Sequence, residues 1–190
     1  QVTGVQTCAL PIYHCQRFGK KFFVQWQFGY SMTLPTLTEG IENFIPMHYE
    51  YTIKNERRVR KLVPAVHNLV FVRSSRSCID AIKESKGTTL PIRYIMDREY
   101  HRPIIVPDSQ MRNFMAVSAN YDESLLYFEP SELNIRKGTR VRITGGLFEG
   151  VEGEFVRVRN DRRVVVTIEG VMAVATTFVH PSLVEPVIEK

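Results

Sequence analysis

Two kinds of periodicity divide the chain. From Ile41 to Val106 short β-rich segments recur, NFIPMHYEYTI, RRVRKLVPA, NLVFVRS, PIRYIMD and PIIVP, separated by turn or helix signals. This is an α+β pattern. Within it SCIDAIKESKG predicts a helix in which Ser77 caps the start, Asp80 suits the first turn and Gly87 offers a left-handed stop, with Cys78, Ile79 and Ile82 as the apolar stripe. PDSQMRNFMAVSA predicts a second helix with Asp108 as the N-cap, and Met111, Phe114 and Met115 repeat at helical spacing as core filler.

The polar, acidic stretch from Ala119 to Glu132, which includes Pro130, reads as a linker. Beyond it the pattern is purely β: TRVRI, EFVRVR, RRVVVTI, VMAVAT and LVEPV, with Asn160-Asp161 as a hairpin signal. Five short strands in so few residues suggest a small barrel. In TRVRI, Val141 and Ile143 alternate with Arg140 and Arg142, so one face of that strand is apolar and the other basic. The glycines at 145, 146, 150 and 153 follow directly. No Gly-Lys-Ser/Thr and helix come after them, so a phosphate loop is excluded; they serve a tight turn and a close backbone approach between strands, and Gly153 is expected to be strained for any other residue.

Composition narrows the picture. The 190 residues are 44% hydrophobic and 24% charged, as in a globular chain of one or two domains. No apolar run reaches the ~20 residues of a membrane helix, which makes the cytoplasm the default compartment. Cys8, Cys15 and Cys78 have no metal-ligand spacing and are expected to be reduced thiols. Residues 1–12, with VTGVQTCALPI, read as a non-native, adapter-derived segment and are set aside from fold reasoning.

The formal net charge is +5, and its location matters more than its size. KNERRVRK, residues 54–61, reads as a hairpin tip with five basic side chains against one acidic. Residues 136–163 hold eight basic against four acidic side chains; Arg140, Arg142, Arg157 and Arg159 are the candidate nucleic-acid contacts, against the alternative of simply solvated strand faces. His14, His48, His67, His101 and His180 are scattered, with no nucleophile or metal motif to join them. Neither catalysis nor a metal nor another cofactor is expected.

KGTRVRITGGLFEGVEGEFVRV resembles the KOW motif, with Gly146, Phe148, Gly150 and Gly153 at its turn. Together with GIENFIPM, KLVPAVHNLVFV, LPIRYIMDRE and IIVPDSQM upstream, the chain resembles NusG-type transcription factors, most of all the UpxY-like antiterminators of polysaccharide operons. The resemblance implies an NGN domain over residues 13–118 (an antiparallel sheet with flanking helices, atypical at 13–39), a linker at 119–132, and an all-β KOW domain with an SH3-like barrel at 133–190. It further implies a non-enzymatic factor that binds RNA polymerase on the clamp helices of the largest subunit and suppresses pausing or termination. The polymerase-contact pattern falls on Val66, His67, Asn68, Leu69 and Val70. Asn68 stands at a glycine position and is tolerable because Asn visits left-handed φ, while Leu69 serves either as an apolar anchor or as sheet core, as Phe71 does.

In the resembled family the barrel docks a small-subunit ribosomal protein through an apolar residue on the loop before its fourth strand. Glu169 occupies that position here, so such coupling is expected to be weak unless Val171 or Met172 supplies the anchor. The alternative is a KOW-type RNA-binding or ribosome-associated protein.

Overall fold

The computed structural model describes residues 21–27, 42–54, 56–66, 68–86, 92–129, 132 and 138–188. The chain separates into two units, one formed by residues 1–44 and 68–105, the other by residues 45–67 and 106–190.

In the first unit, strands β1 (Lys21–Gln27), β2 (Glu42–Phe44), β5 (Leu69–Ser74) and β6 (Ile92–Tyr94) form the antiparallel path β2-β5-β1-β6 of a five-stranded sheet, whose fifth strand, the short β7 (Ile105–Val106), pairs with β1. The atypical N-terminal stretch therefore supplies a central strand, although Gly29 and Pro35 lie outside the described residues. Strand β5 reads LVFVRS, and Leu69, Val70, Phe71 and Val72 are all buried, so both of its faces meet core. Phe71 is fully enclosed, with the Phe44 ring centroid 6.5 Å from its own.

Helix α1 (Arg76–Lys86) follows β5. Its cap is Ser75, not Ser77: the Ser75 hydroxyl accepts from the Cys78 amide at 3.3 Å, and Ser77 lies inside the first turn. Cys78 and Ile79 are buried, and Asp80 accepts the Tyr94 hydroxyl at 2.9 Å. Gly87 lies outside the described residues.

The second unit begins with a two-stranded hairpin of β3 (Met47–Lys54) and β4 (Arg57–Pro64). After the short strand β7 (Ile105–Val106) comes helix α2 (Asp108–Ser118), which packs on the sheet described next. Pro107 holds its N-cap position and makes no side-chain cap bond; Asp108 sits in the first turn, where its charge suits the helix N-terminus. Met111, Phe114 and Val117 are fully buried, while Met115 is half-buried.

The sheet has six antiparallel strands in the order β13-β9-β10-β11-β12-β8. They are β8 (Leu126–Phe128), β9 (Thr139–Ile143), β10 (Glu152–Val158), β11 (Asp161–Ile168), β12 (Met172–Ala175) and β13 (Val184–Pro186). Strand β8 lies within the stretch expected to be a linker. Its Leu126 and Phe128 pack on Val156, Val165, Ala173 and Ala175, which explains why an otherwise polar segment carries LLYF. The β10–β11 turn occupies Arg159 and Asn160, at φ 48° and 71°, one residue earlier than Asn160-Asp161. Two consecutive left-handed residues match the right-handed twist of the strands they join.

Candidate functional site

Glycine shapes the turn between β9 and β10. Gly146 and Gly150 have φ of 86° and 84° and open space where a Cβ would stand. Between them Phe148 folds inward to 5% exposure, and the Gly150 amide donates to the Ile143 carbonyl at 2.8 Å, closing the loop between β9 and β10. Gly153 differs in kind. Its backbone lies outside the left-handed region, yet a Cβ there would lie 2.5 Å from the Val165 carbonyl oxygen and 2.8 Å from Val164 Cγ1. Close approach of β10 to β11, and not backbone strain, is what requires glycine at this point.

The basic residues on the flanking strands fall into different environments. Arg140 and Arg142 project from the exposed face of β9, opposite in sense to the buried Val141 and Ile143. Both pair with Glu152, Arg140 at 3.6 Å and Arg142 at 2.5 Å, so this carboxylate holds two guanidinium groups at the surface. Arg157 Nε donates to the Asn160 carbonyl at 3.2 Å and stiffens the tight turn, and Arg159 is exposed within that turn. Arg163 is buried, unlike the arginine before it, Arg162. It donates to the carbonyls of Ser124 at 2.7 Å and Thr176 at 2.8 Å and pairs with Asp161 at 3.2 Å. Nothing in the alternation of RRVVVTI marks it as different from Arg162; the covering chain arrives from residue 124.

An open cavity of about 220 Å³ lies between α2 and the sheet, lined by polar groups that include Gln110, Asn113, Arg140, Glu152 and Glu169. Asn113 Oδ1 accepts the Glu152 amide at 3.3 Å across it. Among the described residues no group of three or more His, Cys, Asp or Glu side chains could hold a metal. No helix among them is long and apolar enough to cross a membrane.

Glu169 is exposed on the turn between β11 and β12, beside Gly170 at φ 73°. Val171 and Met172 are buried, at 7% and 0% exposure, so their side chains belong to the sheet core. Of the residues entering β5, His67 lies outside the described residues, and Val66 is half-buried. Asn68 has φ 63°, a left-handed turn residue as its replacement of glycine requires. Leu69 is only 4% exposed and pairs with Trp26 of β1 in the sheet register, which places its side chain in the core.

A comparison with curated proteins finds no match. Among solved structures, one titled "Domain interaction in Thermotoga maritima NusG" aligns with 89% of this chain and 98% of its own at 21% identity, with a TM-score of 0.40. Residues 25–115 match the family model described as "Transcription termination factor nusG". The matched stretch, just under half of the chain, runs from β1 into α2 and is similar to that family.

Proposed function

We propose that this protein is a cytoplasmic transcription elongation factor that binds RNA polymerase through the domain spanning residues 13–118 and suppresses pausing or termination. The family match over residues 25–115 carries the reading. The left-handed Asn68 supports it, because the resembled contact pattern has glycine at that position. In this reading the polymerase's clamp helices meet Val66, His67 and Asn68, while Leu69 holds the strand behind them. The factor acts at particular operons, such as those for polysaccharide biosynthesis. Residues 133–190 form its KOW domain, joined through residues 119–132, and the protein performs no catalysis.

The test is a pull-down of core RNA polymerase with the full chain and with Val66→Glu. A carboxylate at the centre of an apolar contact loses an anchor and adds a desolvation cost, together ~2 kcal/mol or more. Capture by the wild type and at least tenfold weaker capture by the variant, with unchanged circular dichroism, are expected. Equal capture removes Val66 from the site, and no capture by either removes the reading. The alternative, a KOW-type RNA-binding or ribosome-associated protein, draws on the exposed Arg140 and Arg142 beside the glycine turn. Co-purification with ribosomal RNA in the absence of polymerase would favour it.

A further inference from the structure

The β3–β4 hairpin is a sheet of its own, and a two-stranded ribbon without further cover is marginal in water. Its order therefore depends on what holds it from outside. Directly paired residues share a face, so Tyr49 with Leu62 and Tyr51 with Arg60 lie on one side of the ribbon. That side meets the segment after α2. The Tyr49 and Tyr121 rings meet edge to face with centroids 6.4 Å apart, and Glu123 accepts the Tyr51 hydroxyl at 2.6 Å and pairs with Arg60 at 3.2 Å. The Arg60 guanidinium also lies 3.5 Å from the Tyr49 centroid, which joins these contacts into one cluster. At the base of the ribbon the Tyr127 ring stands 6.3 Å from that of His48, centroid to centroid, and its hydroxyl donates to the Met47 carbonyl at 3.5 Å.

The same short segment is fastened to the six-stranded sheet. The Ser124 carbonyl accepts from Arg163 at 2.7 Å, Leu125 is buried, and β8 pairs with β12 in the register Leu126 to Ala175, Tyr127 to Val174 and Phe128 to Ala173. Strand alternation gives β8 two faces: Leu126 and Phe128 pack on Val156, Val165, Ala173 and Ala175, while Tyr127 turns the other way, towards the hairpin. Residues 121–128 therefore carry two sets of contacts, one to each structure. Beneath β8, all four residues of β12 are fully buried, and without β8 the main chain of β12 becomes an open sheet edge.

We infer that residues 121–128 are a strap that couples the hairpin to the β12 edge: with β8 seated on β12 the hairpin is held in place, and with β8 lifted the hairpin and the edge are released together. The element with two states is the docking of β8, and both ends bias it. A strand of three residues has a short ladder to lose, so its docking rests on the Leu126 and Phe128 side chains and on the Arg163–Ser124 bond. Coupling through one equilibrium is reciprocal: a load on the hairpin that draws Glu123 or Tyr127 away weakens β8 on β12 by the same free energy that loss of β8 costs the hairpin. The inference concerns the second unit alone and does not depend on polymerase binding.

Amide hydrogen exchange of the full chain at neutral pH, followed by NMR, tests it, with the β5 amides of the first unit as an internal reference. Leu126→Ser/Phe128→Ser removes the apolar grip of β8 on the sheet and leaves Tyr121, Glu123 and Tyr127 in place. It is expected to speed exchange across residues 47–64 more than about tenfold while β5 is unchanged. Phe128→Ala, a smaller cut at the same place, should speed it more than about twofold, and decides the matter if the double variant fails to fold. From the other end, Tyr51→Ala/Arg60→Ala frees Glu123 without touching the sheet and should speed exchange across residues 172–175 more than about twofold. Gly150→Val disturbs the same sheet away from the strap and should leave residues 47–64 within about twofold of the wild type. The inference is overturned if Phe128→Ala leaves hairpin exchange within that margin, if Gly150→Val speeds it as much as Phe128→Ala does, or if Tyr51→Ala/Arg60→Ala leaves β12 unchanged.

Discussion

Arg163 reaches across from β11 to donate a hydrogen bond to the main-chain carbonyl of Ser124 at 2.7 Å, 39 residues earlier in the chain. The same guanidinium holds the Thr176 carbonyl at 2.8 Å and faces Asp161 at 3.2 Å, so one buried cation ties the segment after α2 to the sheet. Removing it leaves two carbonyls unpaired. Arg163→Ala is expected to cost ~3 kcal/mol, and Arg163→Lys ~2 kcal/mol, because an ammonium cannot reproduce the planar fork. Urea unfolding of the full chain measures both; a loss under about 0.5 kcal/mol for Arg163→Ala would show that the clamp is not needed.

Gly150 and Gly153 separate two reasons for needing glycine. At Gly150 the backbone is left-handed with free space around it, so Gly150→Asn should be milder than Gly150→Val, which should cost ~1–2 kcal/mol. At Gly153 the obstacle is the Val165 carbonyl 2.5 Å from any Cβ, so even Gly153→Ala should cost ~2 kcal/mol and Gly153→Asn should gain nothing from its tolerance of positive φ. Thermal melts of the four variants would give this ordering. Equal effects of Asn at the two positions would mean that the distinction is wrong.

The sequence made some of these features visible and hid others for physical reasons. Strand positions from Thr139 to Pro186 were readable because turn residues punctuate them and Val141 and Ile143 alternate with arginines. The burial of α1 through Cys78 and Ile79 was readable from spacing, but its cap was not: Ser75 and Ser77 are equally good cap residues, and only the chain path leaving β5 selects Ser75. Strand β8 was hidden because LLYF sits among Asp122, Glu123, Glu129 and Pro130, and its partner β12 lies far away in sequence. Among the candidate contact residues, Asn68 behaved as its residue type demands. Leu69, Val171 and Met172 carried apolar side chains whose inward direction depends on long-range pairing, which local pattern does not reveal.

Asp122 gives the loop before β8 a pH dependence. Its carboxylate accepts the Ser124 hydroxyl at 2.6 Å and the Ser124 amide at 2.8 Å, and these bonds, with the hydroxyl first, hold its pKa below the ordinary carboxylate value. A depressed pKa means stability that is fully present above the unfolded value near 4 and is lost as pH falls through the folded value. Asp122→Ala should therefore destabilise the protein at neutral pH, by no more than about 0.5 kcal/mol because water screens this largely exposed carboxylate, with the gap to wild type closing below about pH 4. Denaturant titrations of both proteins at neutral and acid pH test this; a gap that widens on acidification has the wrong sign.

The last expectation concerns the partner of the second unit. Glu169 stands exposed on the β11–β12 turn, where the resembled family places an apolar contact, and the two neighbours that could replace it, Val171 and Met172, are committed to the core. Docking of an apolar partner there would desolvate a carboxylate with no anchor gained, a penalty of several kcal/mol. The wild-type chain is therefore expected to show no micromolar binding to the small-subunit ribosomal protein that such domains meet. Glu169→Phe should leave stability within about 0.5 kcal/mol, because the site is an exposed turn, while supplying the missing anchor. Titration of the ribosomal protein into each full chain, followed by NMR, distinguishes the outcomes. Binding regained only in the variant supports a carboxylate that excludes this partner, and micromolar binding by the wild type with shifts centred on Glu169 removes it.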